Sequence, residues 1–224
     1  MASETGMQRR YQRLVGLITA SKPLDLDAWT RMLLVQYFFH VSDRQRIEIH
    51  GEGQRLLNLL TPTHFKGQGR IRLATTTVFG VPRSPGSYGA SYIEARTPDS
   101  LIDIGPGTVF NNRCVLISEG ASIRFGANCL IGPELHVMDS NSHDLVLERR
   151  RQPDPRPAGV EIGDEVFIGS RVTLLKGVRL GRGCIVGAGA VVQPGFEAPP
   201  MSILAGNPAV IVGQACSAEA TPEV

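Results

Sequence analysis

The chain has 224 residues, 42% of them hydrophobic, with a formal net charge of +2. That suffices for one buried core plus a small extra unit, and charge alone makes no case for a nucleic-acid partner. No apolar run approaches the length of a membrane span, and the polar start MASETGMQRRYQRL does not read as a secretory signal. In chain order, residues 7 to 60 read as helical. Tyr11, Leu14, Val15 and Ile18 share one face, and Ser21-Lys22-Pro23 breaks the helix. Asp25 or Asp27 caps a second helix carrying Trp29, Leu33 and Tyr37 on one face, and Gln54 to Leu60 is expected to form a short third helix. A role as a cap on a solenoid end is favoured for this part over acceptor recognition, because an open end would expose apolar surface.

Residues 68 to 100 are extended and irregular, with strand composition at Ile71-Arg72-Leu73 and Thr76-Thr77-Val78. Clear repeats begin at Ile104, shift phase between Ser118 and Arg124, stop at His143 and return at Val160. From there the register is strict. Ile162, Ile168, Leu174, Leu180, Val186 and Val192 are aliphatic at every sixth position, and Val166, Val172, Val178, Cys184 and Ala190 follow four residues later. A period of six fits neither a helix nor an alternating strand; it is the signature of a β-helix solenoid. Each unit supplies one short strand and one corner, with the aliphatic and the small residue both pointing inward. The glycines at 163, 169, 181 and 187 suit tight corners and an unusual backbone conformation.

The repeat is broken outright by H-D-L-V-L-E-R-R-R-Q-P-D-P-R-P-A-G, whose prolines after Arg151 forbid a helix. Arg149, Arg150, Arg151 and Arg156 in this loop read as solvated, with a phosphate contact as the alternative. After Val192 the repeat is expected to end, with a turn at Phe196 to Pro200, a last strand at Ser202 to Gly206 and a short helix begun by Asn207-Pro208. The tail 214–224 reads as disordered. The expected divisions are a helical cap over 1–67, a β-helix over 68–213 with an inserted loop 139–159, and the tail. Cys114, Cys129 and Cys184 fall in small inward slots, which argues for core thiols and a cytoplasmic setting.

The candidate for chemistry is Asp139-Ser140-Asn141-Ser142-His143 at the mouth of the loop. An imidazole suits proton transfer near neutral pH and could take the proton from an attacking hydroxyl. A metal-dependent site would need about three converging His ligands, and only His136 and His143 lie in the solenoid, so no metal is expected.

With D-S-N-S-H-D, V-E-I-G-D-E-V-F-I-G-S, G-V-R-L-G-R-G-C-I-V-G-A-G-A-V-V and L-A-G-N-P-A in this order, residues 104 to 212 resemble the hexapeptide-repeat O-acetyltransferases of maltose, galactosides and capsule or exopolysaccharide sugars. The resemblance implies a mainly β chain forming left-handed parallel β-helices, assembled as a homotrimer with sites between subunits. Acetyl-CoA would be the donor and a sugar or polysaccharide precursor the acceptor. His143 matches the general base, and Ser170 the residue whose backbone N–H steadies the oxyanion. Asn112, or Asn111 if the phase differs by one, matches an acceptor-binding residue, and Asp139 and Asn141, beside the base, are the other expected substrate contacts. Phe167, Gly169, Ser170, Gly187, Ala188, Gly189, Ala205 and Gly206 match the cofactor contacts. The sequence departs from the family at Phe167, often Trp there, and at Val210-Ile211-Val212, where a cation for the CoA 3′-phosphate is usual. Lys176, Arg171, Arg182 or the loop arginines are the substitutes on offer. Transfer to an amine, an antibiotic or serine, and a non-catalytic solenoid, remain the alternatives.

Overall fold

The computed structural model describes residues 25–52 and 57–216. The first expected helix, the Ser21-Lys22-Pro23 break and residues 217–224 lie outside them. The second expected helix is present as α1 (Leu26–His40), and Asp25 is its cap, accepting from Ala28 N at 2.9 Å. None of its residues is buried; Leu33 and Tyr37 are 52% and 60% exposed.

The solenoid then begins, well before residue 68. Its first coil is β1 (Ile47–His50), β2 (Asn58–Leu59) and β3 (Thr63–Gly67). The described part of the expected third helix is therefore strand β2. The following coils are β4 (Arg70–Ala74), β5 (Val78–Phe79) and β6 (Ser91–Ala95), then β7 (Leu101–Ile104), β8 (Val109–Phe110) and β9 (Val115–Ser118), then β10 (Ser122–Phe125), β11 (Leu130–Ile131) and β12 (His136–Met138). After the loop come β13 (Val160–Ile162), β14 (Phe167–Ile168) and β15 (Thr173–Leu174), and β16 (Arg179–Leu180), β17 (Ile185–Val186) and β18 (Val191–Val192). The chain closes with β19 (Glu197–Ala198), β20 (Ser202–Gly206) and β21 (Ala209–Gln214). Every third strand stacks on the one before, giving three parallel faces of a left-handed β-helix; among the described residues only β20 and β21 pair antiparallel.

The repeat does not stop at Val192. Ala198 and Leu204 continue the inward column in phase, 6% and 0% exposed. The expected C-terminal helix is a strand. Val210, Ile211 and Val212 are β-branched and favour a pleated chain over a helix, and Asn207-Pro208 forms the turn between β20 and β21. Among the described residues, α1 and the segment after it both lie against β3 at the start of the solenoid, with the Phe38 and His64 rings 5.7 Å apart. Ser42 Oγ and Asp43 Oδ2 accept from Phe65 N (2.9 Å) and Gly67 N (3.0 Å), and Asp43 N donates to Phe65 O (2.9 Å). These bonds satisfy the edge of β3 that no coil covers.

The small slots are filled as the spacing predicts: Val166, Val172, Val178, Cys184 and Ala190 are all 0% exposed, as are Cys114 and Cys129. The glycines divide two tasks. Left-handed backbone falls three residues after each aliphatic position, at Glu165, Arg171, Gly177, Gly183, Gly189, Gly195 and Met201. The glycines directly after the aliphatic position are needed for close approach instead. A Cβ on Gly169 would lie 2.7 Å from Ala188 N in the next coil.

The faces differ outside. On the first face, Glu48, Arg72, Asp103, Arg124, Glu161, Arg179 and Glu197 stack in register as alternating charges, with ion pairs at Arg72–Asp103 (3.0 Å) and Arg179–Glu161 (2.9 Å). On the second face the same column is Val78, Val109, Leu130, Phe167, Ile185 and Ile203. Leu130 and Phe167 are 56% and 48% exposed. Exposed ion pairs add little stability, but the ladder makes the first face costly to dry, whereas the second presents continuous apolar surface.

Candidate active site

One residue past the inward residues Phe110, Ile131, Ile168, Val186 and Leu204 of the second face, Asn111, Gly132, Gly169, Gly187 and Ala205 form one line. The backbone N–H of the first four binds the carbonyl one coil on, at Ile131, Ile168, Val186 and Leu204, within 2.7–2.8 Å. The next line holds Asn112, Pro133, Ser170, Ala188 and Gly206. The fold thus gathers the expected cofactor contacts Gly169, Ser170, Gly187, Ala188, Gly189, Ala205 and Gly206 along one edge of the prism. With almost no side chains, this edge is a lane along which an extended molecule can lie against backbone. A Cβ on Gly189 would meet nothing within 4 Å, so the lane is open there. Phe167 flanks it from the second face. Among the described residues, the N–H groups of Ser170 and Ala188 have no acceptor, which leaves them free to bind a developing negative oxygen.

Asn111 and Asn112 are now told apart. Asn112 is 0% exposed; its amide donates to the carbonyls of Val81 (3.0 Å), Ser84 (3.0 Å) and Pro85 (3.1 Å), and its oxygen accepts from Val81 N (3.0 Å). It pins the 81–86 loop and has no polar atom left for an acceptor. Asn111 is half-buried at the head of the lane, its oxygen held by Asn112 N at 2.8 Å. Asp139 is also consumed internally. It is 0% exposed, and its oxygens accept from Ser118 Oγ (2.6 Å), Glu119 N (2.6 Å) and Ala121 N (3.2 Å). It closes the turn that shifts the phase, where no substrate reaches it.

His143 is exposed in the loop between β12 and β13, beside half-buried Ser142 and Asn141. His136 is half-buried on β12 between Val115 and Thr173, and burial pulls its pKa below the ordinary histidine value. It is a wall residue, neutral near pH 7. The His143 loop leaves the edge between the third and first faces, whereas the lane runs along the edge between the second and third. One side of the prism separates the two edges.

Three of the seven cations offered for a phosphate are engaged in ion pairs. Arg182 pairs with Glu165 (2.9 Å) and Arg149 with Asp144 (2.7 Å), while Lys176 binds Asp154. Val210, Ile211 and Val212 are exposed on β21. Among the described residues, no three His, Cys, Asp or Glu side chains converge as metal ligands.

Residues 159–194 match the bacterial transferase hexapeptide family, described as six repeats. The resemblance to hexapeptide-repeat O-acetyltransferases holds in repeat and in fold. Among solved structures, the chain is similar to the polysialic acid O-acetyltransferase OatWY, at 21% identity and TM-score 0.53, over 80% of this chain and 73% of that one. It is similar to a maltose O-acetyltransferase from Clostridium difficile 630, at 21% identity and TM-score 0.53, over 87% and 90% of the two chains. The polySia-specific acetyltransferase NeuO gives 18% identity and TM-score 0.53, over 78% of each chain. No described helix is long and apolar enough to cross a membrane.

Proposed function

We propose that the protein is an acetyl-CoA-dependent O-acetyltransferase acting on a hydroxyl of a sugar or polysaccharide precursor. The observation that carries this reading is the lane of small residues from Gly169 to Gly206, with the N–H of Ser170, unpaired among the described residues, at its Gly169 end. The pantetheine arm of acetyl-CoA lies along the lane and the thioester carbonyl meets Ser170 N–H. His143 takes the proton from the acceptor hydroxyl as its oxygen attacks the acetyl carbon; the tetrahedral oxyanion is held by Ser170 N–H, and the CoA thiolate leaves and recovers a proton. An oxyanion donor of this kind contributes about 3 kcal/mol. Asn111 and Asn141 are the side chains placed to contact the acceptor. The three core thiols and the donor's identity fit a cytoplasmic enzyme. The test is release of free thiol from acetyl-CoA with a panel of sugars. Turnover with amines or serine but with no sugar would move the acceptor out of this class.

The His143 loop and the lane leave different edges of the prism, which favours a second copy completing the site, and the apolar column from Val78 to Ile203 would give that copy a surface to cover. We assign a homotrimer with each site shared between neighbours. Ala205→Phe, which fills the lane, and His143→Ala are each expected to be inactive. Co-refolded together they are expected to regain turnover, because one subunit supplies the ring and its neighbour the lane. A mixture as inactive as its parents would defeat the shared site.

A non-catalytic solenoid is favoured only by the apolar residues at Val210 to Val212. A rise in melting temperature with CoA is expected and distinguishes the two, since a ligand binding the folded state raises the midpoint.

A further inference from the structure

We infer that Lys176 and Asp154 form a clamp whose task is to fix the position of His143. This rests on the reading of His143 as the base. The loop is laced shut in three places. At its base Ala158 N donates to Asp139 O at 2.7 Å. Above that, Asn141 N donates to Asp154 Oδ2 at 2.8 Å, and Asp144 N to Gln152 O at 2.9 Å. His143 lies between the last two ties, next to Ser142, whose backbone is left-handed at φ 60° and whose N–H is held by Ser140 Oγ at 2.8 Å. The outgoing limb is therefore as well placed as the return limb, and the return limb is placed by Asp154.

Asp154 has a side chain only 4% exposed. Besides Asn141 N it accepts from Arg156 N at 3.0 Å and from the Lys176 ammonium, which also donates to Arg156 O at 2.8 Å. Burial alone would raise its pKa, but the Asn141 N–H, the Lys176 ammonium and the Arg156 N–H outweigh it and hold the carboxyl below the usual range. Lys176 comes from the corner after β15, one coil on, where Gly177 N donates to Ala158 O at 2.9 Å. The next coil thus reaches through one half-buried charge pair to the backbone two residues from His143. Lys176 is a positioning residue and is not free to meet the CoA phosphate.

The experiment compares Lys176→Met and Lys176→Arg with the wild-type protein by three readouts. In Lys176→Met the NMR signals of the His143 ring shift and broaden, and native trypsin cleavage after Arg149 to Arg151 accelerates about tenfold. The turnover number falls about tenfold or more with the KM for acetyl-CoA unchanged, the scale expected for a misplaced catalytic group. Lys176→Arg, which keeps the charge, restores most of each. Asp154→Asn replaces Lys176→Met should that variant fail to fold, with the same expected changes. Unchanged ring signals and cleavage would overturn the clamp, whatever the activity. So would a raised KM for acetyl-CoA at constant turnover number, which would make Lys176 a cofactor contact. If the loop readouts change but the wild-type protein transfers no acetyl group to any acceptor, the clamp stands and the assignment of His143 as base falls.

Discussion

His143→Ala is expected to lower acetyl transfer by about 100- to 10,000-fold, the range for losing a positioned general base. Its melting temperature is expected to match wild type. The ring is exposed, and the loop around it is closed by bonds from Asn141 N, Ser142 N and Asp144 N that do not involve residue 143's side chain. The change therefore separates chemistry from folding. The fall should appear in the turnover number, with the KM for acetyl-CoA little changed, because the lane proposed for the donor runs along a different edge of the prism. His136→Ala is the control: that ring is half-buried and has no place in the transfer. Stopped thiol release from acetyl-CoA measures both variants. Wild-type turnover in His143→Ala would leave the loop without a catalytic part.

The solenoid was legible because its geometry writes itself into the chain at a fixed period. Ile162 to Val192 and the small slots from Val166 to Ala190 are inward in the structure as their spacing requires. Legibility failed where the inward residue is poor in signal. Ala198 is small and followed by two prolines, so its coil read as a turn. The early coils hide their period behind long corners and a Phe-rich interior, with Phe65, Phe79, Phe110 and Phe125 in successive contact at 5.6, 5.1 and 5.0 Å between ring centres. That Gly169, Gly187 and Ala205 share one edge could be read, because they follow the repeat. The roles of Asn112 and Asp139 could not. Each is decided by partners some 20 to 30 residues earlier, at Val81 to Pro85 and at Ser118 to Ala121, and a polar residue beside a catalytic loop looks the same whether it faces a substrate or a buried turn. Asp154 was missed for a related reason. A lone carboxylate between prolines gives no pattern until Lys176 is seen beside it.

Asp139→Ala should be the most destabilising single change between Asp139 and Asp144. It removes the acceptor for Ser118 Oγ, Glu119 N and Ala121 N in a place water does not reach. Stranded donors of this kind cost about 1–3 kcal/mol each, and partial relaxation of the turn makes about 3 kcal/mol a fair total. For a chain of this size that lowers the melting temperature by roughly 6–12 °C. Asp139→Asn should lose less, since its oxygen still accepts. The difference between wild type and Asp139→Asn should depend on pH with a defined sign. Burial raises the Asp139 pKa, and the bonds from Ser118, Glu119 N and Ala121 N offset this only in part. The folded state therefore holds this proton more tightly than the unfolded chain does. Its contribution is fully present below the ordinary value of 3.8 and is lost as pH rises through the higher folded value. Thermal melts of the two proteins across that window should show the wild-type advantage shrinking with rising pH. An advantage that grew instead would mean that the bound N–H groups, rather than burial, govern the carboxylate. An Asp139→Ala protein melting with wild type would mean that the phase shift at Ser118 to Ala121 is held by something other than this side chain.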